Sequence, residues 1–105
     1  MNMSPKLFIT LLVYLHEGEE ESFLKYEDQV LPLLPKYNGE LLYRIRPEKI
    51  NFVQTPTEYP YELQLLSFSS AQDFENYRQD KERLSHAPLF QKSIRKVLLL
   101  QSQSS

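Results

Sequence analysis

Residues 6–15 read KLFITLLVYL, a run of β-branched, aromatic and aliphatic side chains that predicts a central β-strand. Successive side chains of a strand point to opposite faces. The odd-numbered residues from Leu7 to Leu15 therefore share one face, and the even-numbered residues from Phe8 to His16 share the other. Both sets are largely apolar, whereas a strand with one face in water alternates apolar with polar residues. The run predicts a sheet that is covered on both faces.

The rest of the chain predicts two helices and three further strands. Asn38-Gly39 should end the first helix, and Pro32 and Pro35 should loosen its last turns. Ser69 or Ser70 should cap the second helix, with Gln72 completing a capping box. The apolar stripe of the first helix is Phe23, Tyr26, Val30, Leu33, Leu34 and Tyr37, and that of the second is Phe74, Tyr77, Lys81 and Leu84. The further strands are predicted at Glu40–Arg46, Tyr61–Phe68 and Lys96–Gln101.

The element order predicts an α+β, ferredoxin-like βαββαβ fold in one domain over residues 1–105, with an ordered core at about 6–101. Right-handed crossovers place both helices on one face of a four-stranded antiparallel sheet. The helix-free face is also apolar and needs a partner, most simply a second copy of the chain. We expect a homodimer that buries strand residues such as Leu12, Leu66 and Leu98, or their neighbours of opposite parity.

Composition excludes several classes of function. The 12 basic and 14 acidic residues give a net charge of −2 and are interspersed, which leaves no electrostatic footprint for nucleic acid or an anionic membrane. The chain has no cysteine, which removes disulfides and thiolate sites and fits a cytoplasmic location. The apolar run from Leu7 to Leu15 is too short to cross a bilayer. Two histidines far apart predict no metal site, and we expect no cofactor.

Three segments carry a resemblance to a known superfamily. They are LLPKYNGELLYRIRPEK, YPYELQLLSFSSAQDFENYRQDKERLSHAPLF and IRKVLLLQ. Together they resemble the dimeric α/β-barrel superfamily, and most closely its small members of unknown function and its antibiotic-biosynthesis-monooxygenase-like members. The resemblance implies two sheets packed across a twofold axis and a pocket between sheet and helices. Haem-degrading members usually carry a Trp, which this chain lacks. The resemblance carries no catalytic residue across.

A ligand pocket is predicted between the sheet and the helices, near the end of the first strand. His16 is a candidate acid or base there, although an exposed loop histidine fits the pattern as well. Arg44 and Arg46 could clamp a carboxylate or phosphate, or could instead pair with Glu62 across the strands. His86 either faces the pocket or stabilises a helix end. The full candidate set is Tyr14, His16, Tyr43, Arg44, Arg46, His86 and Phe90.

Two functions fit these residues. The first is a dimeric protein that binds a small apolar or aromatic molecule without catalysis, since no catalytic cluster is evident. The alternative is a cofactor-independent monooxygenase-like or isomerase-like enzyme acting on a small aromatic or polyketide-like substrate, in which His16, His86 or a tyrosine moves protons. The segment 48–60 is long enough to serve as a lid. Catalytic residues remain unknown from the sequence.

Overall fold

The computed structural model describes residues 6–103 and confirms the ferredoxin-like α+β architecture. The four strands form one antiparallel sheet in the order β2-β3-β1-β4. The strands are β1 (Leu7–Leu15), β2 (Gly39–Ile45), β3 (Glu62–Phe68) and β4 (Ile94–Gln103), and the helices are α1 (Glu20–Val30), α2 (Ala71–Arg78), α3 (Lys81–Ser85) and α4 (Ala87–Ser93). Within residues 6–103, no helix has the length and apolarity needed to cross a membrane.

The first helical segment ends as the sequence predicts. After Val30 the chain continues as a 3₁₀ helix, Leu31–Tyr37, because Pro32 and Pro35 cannot donate the hydrogen bonds of an α-helix. Asn38 then adopts a left-handed conformation with φ of 56° and ends the segment. A Cβ atom on Gly39 would lie 2.7 Å from the ring of Phe68, so β2 begins where only glycine fits.

The second helical segment differs from the prediction in two respects. Ser70 caps α2 by accepting a hydrogen bond from the Asp73 amide at 3.1 Å, and the box partner is therefore not Gln72, whose side chain donates to Asn76. The helix also breaks after Arg78, and a new helix, capped by Asp80, starts at Lys81. The break turns Lys81 and Leu84, predicted on the inner face, out toward solvent.

The sheet has one covered face and one open face. Register places Ile9 opposite Leu66 and Leu7 opposite Phe68, and all four side chains are buried beneath the helices. Leu66 therefore belongs to the helix-covered core, and the prediction that it lies on the helix-free face is wrong. Register places the even-numbered residues of β1 and β4 on the open face. Leu98 there is 45% exposed and Leu100 is 61% exposed.

Candidate functional site

A cavity of about 280 Å³ lies between the covered face of the sheet and the helices. Its apolar walls come from three of the four strands and from the helical segments that cover them: Leu11, Val13, Val30, Leu31, Leu66, Phe74, Phe90, Ile94, Val97 and Leu99. Its polar lining consists of Tyr26, Glu27, Gln64, Tyr77, Arg78 and Arg83. Apolar walls with a few converging polar groups are typical of small-molecule sites.

Buried polar side chains from β3 and α1 line one side of the cavity. The Gln64 amide donates to a carboxylate oxygen of Glu27 at 3.2 Å and to one of Glu62 at 2.5 Å. Glu27 is only 5% exposed and Gln64 only 3%. Burial raises the pKa of Glu27 from 4.5 to about 7, although the Gln64 amide and the charges of Arg44 and Arg83 act in the opposite direction. Glu27 can therefore gain or lose a proton near neutral pH.

Glu62 anchors an ion-pair network beside the cavity. Its fully buried carboxylate accepts from Arg44 Nε and Arg46 Nε, each at 2.9 Å. The guanidinium carbons lie 5.9 Å from the Phe23 ring centre and 5.2 Å from that of Tyr61. Arg44 and Arg46 thus pair with Glu62, the alternative that the sequence left open, and neither lines the cavity. Both guanidinium groups have Glu62 as their carboxylate partner, and Arg44 Nη2 is buried without an acceptor among residues 6–103.

Two aromatic hydroxyls and an arginine form the helix side of the cavity. The Tyr77 hydroxyl donates to the carbonyl of Val30 at 3.2 Å, and burial raises the pKa of Tyr77 to about 12. The Arg83 guanidinium lies 5.0 Å from the Tyr77 ring centre, and its Nη1 donates to the Arg78 carbonyl at 3.2 Å. Arg83 Nε is buried without an acceptor among residues 6–103.

The structure does not bring the seven predicted residues together. Only Phe90 lines the cavity. Register places Tyr14 and Tyr43 on the open face, where Tyr43 is 62% exposed. His16 is exposed at the end of β1, in an open cleft with Tyr14, and half-buried His86 joins α3 to α4. The predicted convergence of Tyr14, His16, the arginines and the His86–Phe90 turn is therefore wrong; any role in binding stays a prediction.

The segment 48–60 also lies away from the cavity. The carboxylate of Glu58 pairs with Arg95 at 2.6 Å and with Lys96, which fastens the segment to the start of β4. Residues such as Lys49 and Tyr59 line the cleft at His16, and none from 48–60 lines the cavity. The predicted lid therefore borders the cleft.

Sequence reasoning missed Glu27, Gln64 and Arg83. Glu27 lies four residues after Phe23 and three before Val30, in the apolar stripe of α1, where a carboxylate is unusual. Gln64 shares strand parity with Leu66 and Phe68. These two positions carried a signal, namely polar residues in apolar patterns. Arg83 carried none, because its inward position depends on the helix break before α3.

No protein-family model matches the chain, and no curated protein matches it in sequence. Solved structures do share its fold. A protein of unknown function from Rhodopseudomonas palustris aligns at a TM-score of 0.81 with 13% identity, over 97% of this chain and 84% of the other. A DABB-family protein from Mesorhizobium loti, with a ferredoxin-like fold, aligns at 0.71 with 13% identity, over 97% and 99%.

A dimeric ferredoxin-like protein of unknown function from Jannaschia aligns at a TM-score of 0.70 with 17% identity, over 94% of this chain and 99% of the other. These likenesses establish the ferredoxin-like fold and leave the monooxygenase-like resemblance without specific support.

In the described part of the chain, no three His, Asp or Glu side chains group closely enough to hold a metal ion.

Proposed function

We propose that this protein is a homodimer that binds a small, largely apolar molecule in the cavity between its sheet and its helices. The single observation that carries the proposal is the cavity itself, about 280 Å³ in volume, with mostly apolar walls and buried Glu27 and Gln64 at one side. An apolar protein cavity of about 150 Å³ holds benzene, so this one suits a molecule of roughly 10 to 15 non-hydrogen atoms.

A filling mutation tests the binding site. Val97 lines the cavity from β4, whereas its neighbour Leu98 lies on the open face. Titration calorimetry with 4-methylphenol and with 3-phenylpropionamide should detect binding to the wild-type protein. We expect Val97→Phe to weaken it by about tenfold or more by occupying the space, and Leu98→Phe to leave it unchanged. A wild-type protein that binds neither these neutral probes nor their acidic analogues would refute the proposal.

The open face supports the homodimer. Leu98 and Leu100 on β4 and Tyr43 and Ile45 on β2 are between 45% and 62% exposed, which is unusual for large apolar side chains that lie together on one sheet. The solved Jannaschia protein of this fold is described as dimeric. Light scattering at micromolar concentration should give twice the monomer mass of 12.5 kDa. A monomer at that concentration would contradict the assembly but not the cavity.

A second candidate is an isomerase-like enzyme, and the buried carboxyl of Glu27 favours it. A group with a pKa of about 7 can take a proton from a bound molecule and return it at another position. Glu27 replaces the histidines as the acid-base group, because neither His16 nor His86 lines the cavity. Deuterium exchange from solvent into 4-phenyl-2-butanone, followed by NMR, tests this function. Exchange should require the wild-type protein and disappear in Glu27→Gln, and its absence from the wild type counts against catalysis.

A further inference from the structure

The charges around the cavity point to the chemical class of the ligand. All five arginines lie within residues 6–103, and Arg83 alone among them forms no ion pair there. Arg44 and Arg46 share Glu62, while Arg78 and Arg95 pair with Glu75 and Glu58. Arg83 nevertheless lines the cavity beside apolar walls, which is a costly position for a charge that has no salt bridge.

The Arg83 guanidinium is held in place but is not satisfied. Stacking over the Tyr77 ring and the bond from Nη1 to the Arg78 carbonyl fix its position. Its Nε–H is buried and lacks an acceptor among the described residues. A fixed donor that lacks an acceptor is a recognition element, because a ligand oxygen can supply the missing hydrogen bond.

We propose that the ligand is a small aromatic or aliphatic carboxylic acid, bound as its carboxylate by Arg83 with its apolar tail against the cavity walls. The inference rests on the proposed function and names the ligand class for the same cavity. A single guanidinium matches a monoanion, and the largely apolar walls suit a carbon tail.

The acidic groups of the cavity set the pH dependence of this binding. Glu27 faces Gln64 and Glu62 from β3, Arg44 from β2 and Arg83 from α3, and the Tyr26 and Tyr77 hydroxyls lie in the same lining. When Glu27 is protonated, its carboxylic acid can donate a hydrogen bond to the ligand carboxylate. When Glu27 is ionised, it repels that carboxylate and competes for Arg83. Binding of an acid should therefore tighten as the pH falls from 8 to 6.

Calorimetry with 3-phenylpropionate and its neutral amide tests the ligand class, since the two probes share one tail and the acid remains ionised from pH 6 to 8. The wild-type protein should bind the acid at least about tenfold more tightly than the amide at pH 6. Arg83→Gln should remove this preference by weakening the acid alone. Arg95→Gln is the matched control, because Arg95 pairs with Glu58 and does not line the cavity. Glu27→Gln should flatten the dependence of acid affinity on pH.

The outcomes separate the two proposals. Equal affinity of the wild-type protein for acid and amide would overturn the carboxylate assignment and leave the apolar binding site standing. Binding of neither probe would overturn both. Loss of both probes in Arg83→Gln, without recovery of the acid in Arg83→Lys, would assign Arg83 a packing role and overturn the recognition proposal. Circular dichroism of each variant verifies that it is folded.

Discussion

The two faces of the sheet invert the usual distribution of side chains. On the face covered by helices, Glu62 is completely buried and Gln64 is 3% exposed. On the open face, Leu98 and Leu100 are 45% and 61% exposed. Polar groups are thus buried beneath the helices, and large apolar groups lie on the surface. Each arrangement is costly in an isolated chain, since buried charge loses hydration and exposed leucine orders water.

The inversion gives the two faces different chemical surroundings. Buried Glu62 is compensated by two arginines, and Gln64 links it to Glu27 at the cavity. That arrangement holds these polar side chains in fixed positions at the edge of the cavity. The open face has an apolar surface that a second copy can cover. Our two proposals place ligand binding on the covered face and dimer assembly on the open face, and each can be tested by its own substitutions.

The largest effect should follow the loss of charge at Glu62 on the covered face. Glu62→Gln leaves the partly buried Arg44 and the more exposed Arg46 without a carboxylate, and we expect the free energy of unfolding to fall by about 3–5 kcal/mol. Urea denaturation measures this loss. Glu75→Gln removes a half-exposed pair with Arg78 and should cost less than about 1 kcal/mol. Equal losses in both variants would mean that the buried Glu62 network contributes no more to stability than the exposed pair of Glu75 and Arg78.

The comparison of the two faces also separates what the sequence could predict from what it could not. The apolar runs of β1 and β4 and the helical stripes predicted the fold, because periodicity determines which side chains share a face. The cavity depends on details that periodicity does not contain. A bulge in the pairing of β2 with β3 between Leu41 and Tyr43 determines that Arg44 faces the helices and Tyr43 the open side. The helix break after Arg78 likewise turns Arg83 inward.

A charge on the open face should produce the next largest effect, and it should act on assembly alone. Leu98→Asp would bury a carboxylate in the proposed dimer interface. We expect the dissociation constant of the dimer to rise about a thousandfold, which corresponds to roughly 4 kcal/mol. Light scattering should then report the monomer mass. Gln101→Asp is the control, since register places it on the opposite side of β4, where it is exposed. A dimer that survives Leu98→Asp would move the interface elsewhere.

The charge of Glu27 should lower stability by an amount that grows with pH. Folding raises the pKa of Glu27 from 4.5 to about 7, so the folded protein retains this proton up to a higher pH than the unfolded chain does. Wild-type stability should therefore decrease as the pH rises from about 4.5 to 7, and the full cost is present above that range. Glu27→Gln removes the cost and should stabilise the protein by about 2–3 kcal/mol at pH 8.

Near pH 4.5 the wild type and Glu27→Gln should unfold at similar urea concentrations, because the side chain at position 27 is neutral in both folded proteins at that pH. Asp28→Asn, at the exposed neighbouring position, is the matched control and should show no such dependence. A gain that is equal at both pH values would mean that amide hydrogen bonding, and not charge, distinguishes the variant.

The smallest effect should come from the tightly packed end of the covered face. A Cβ on Gly39 would lie 2.7 Å from Phe68 Cε1 and 3.1 Å from the side chain and carbonyl of Leu34. Phe68 is completely buried, so the ring cannot move away, and Gly39→Ala should cost about 1–2 kcal/mol in urea denaturation. The same substitution in a Phe68→Leu background should cost less, because the shorter side chain vacates the contact. An identical cost in both backgrounds would locate the strain at Leu34 instead of the ring. A reduced cost would place the strain at the contact between Gly39 and the ring of Phe68.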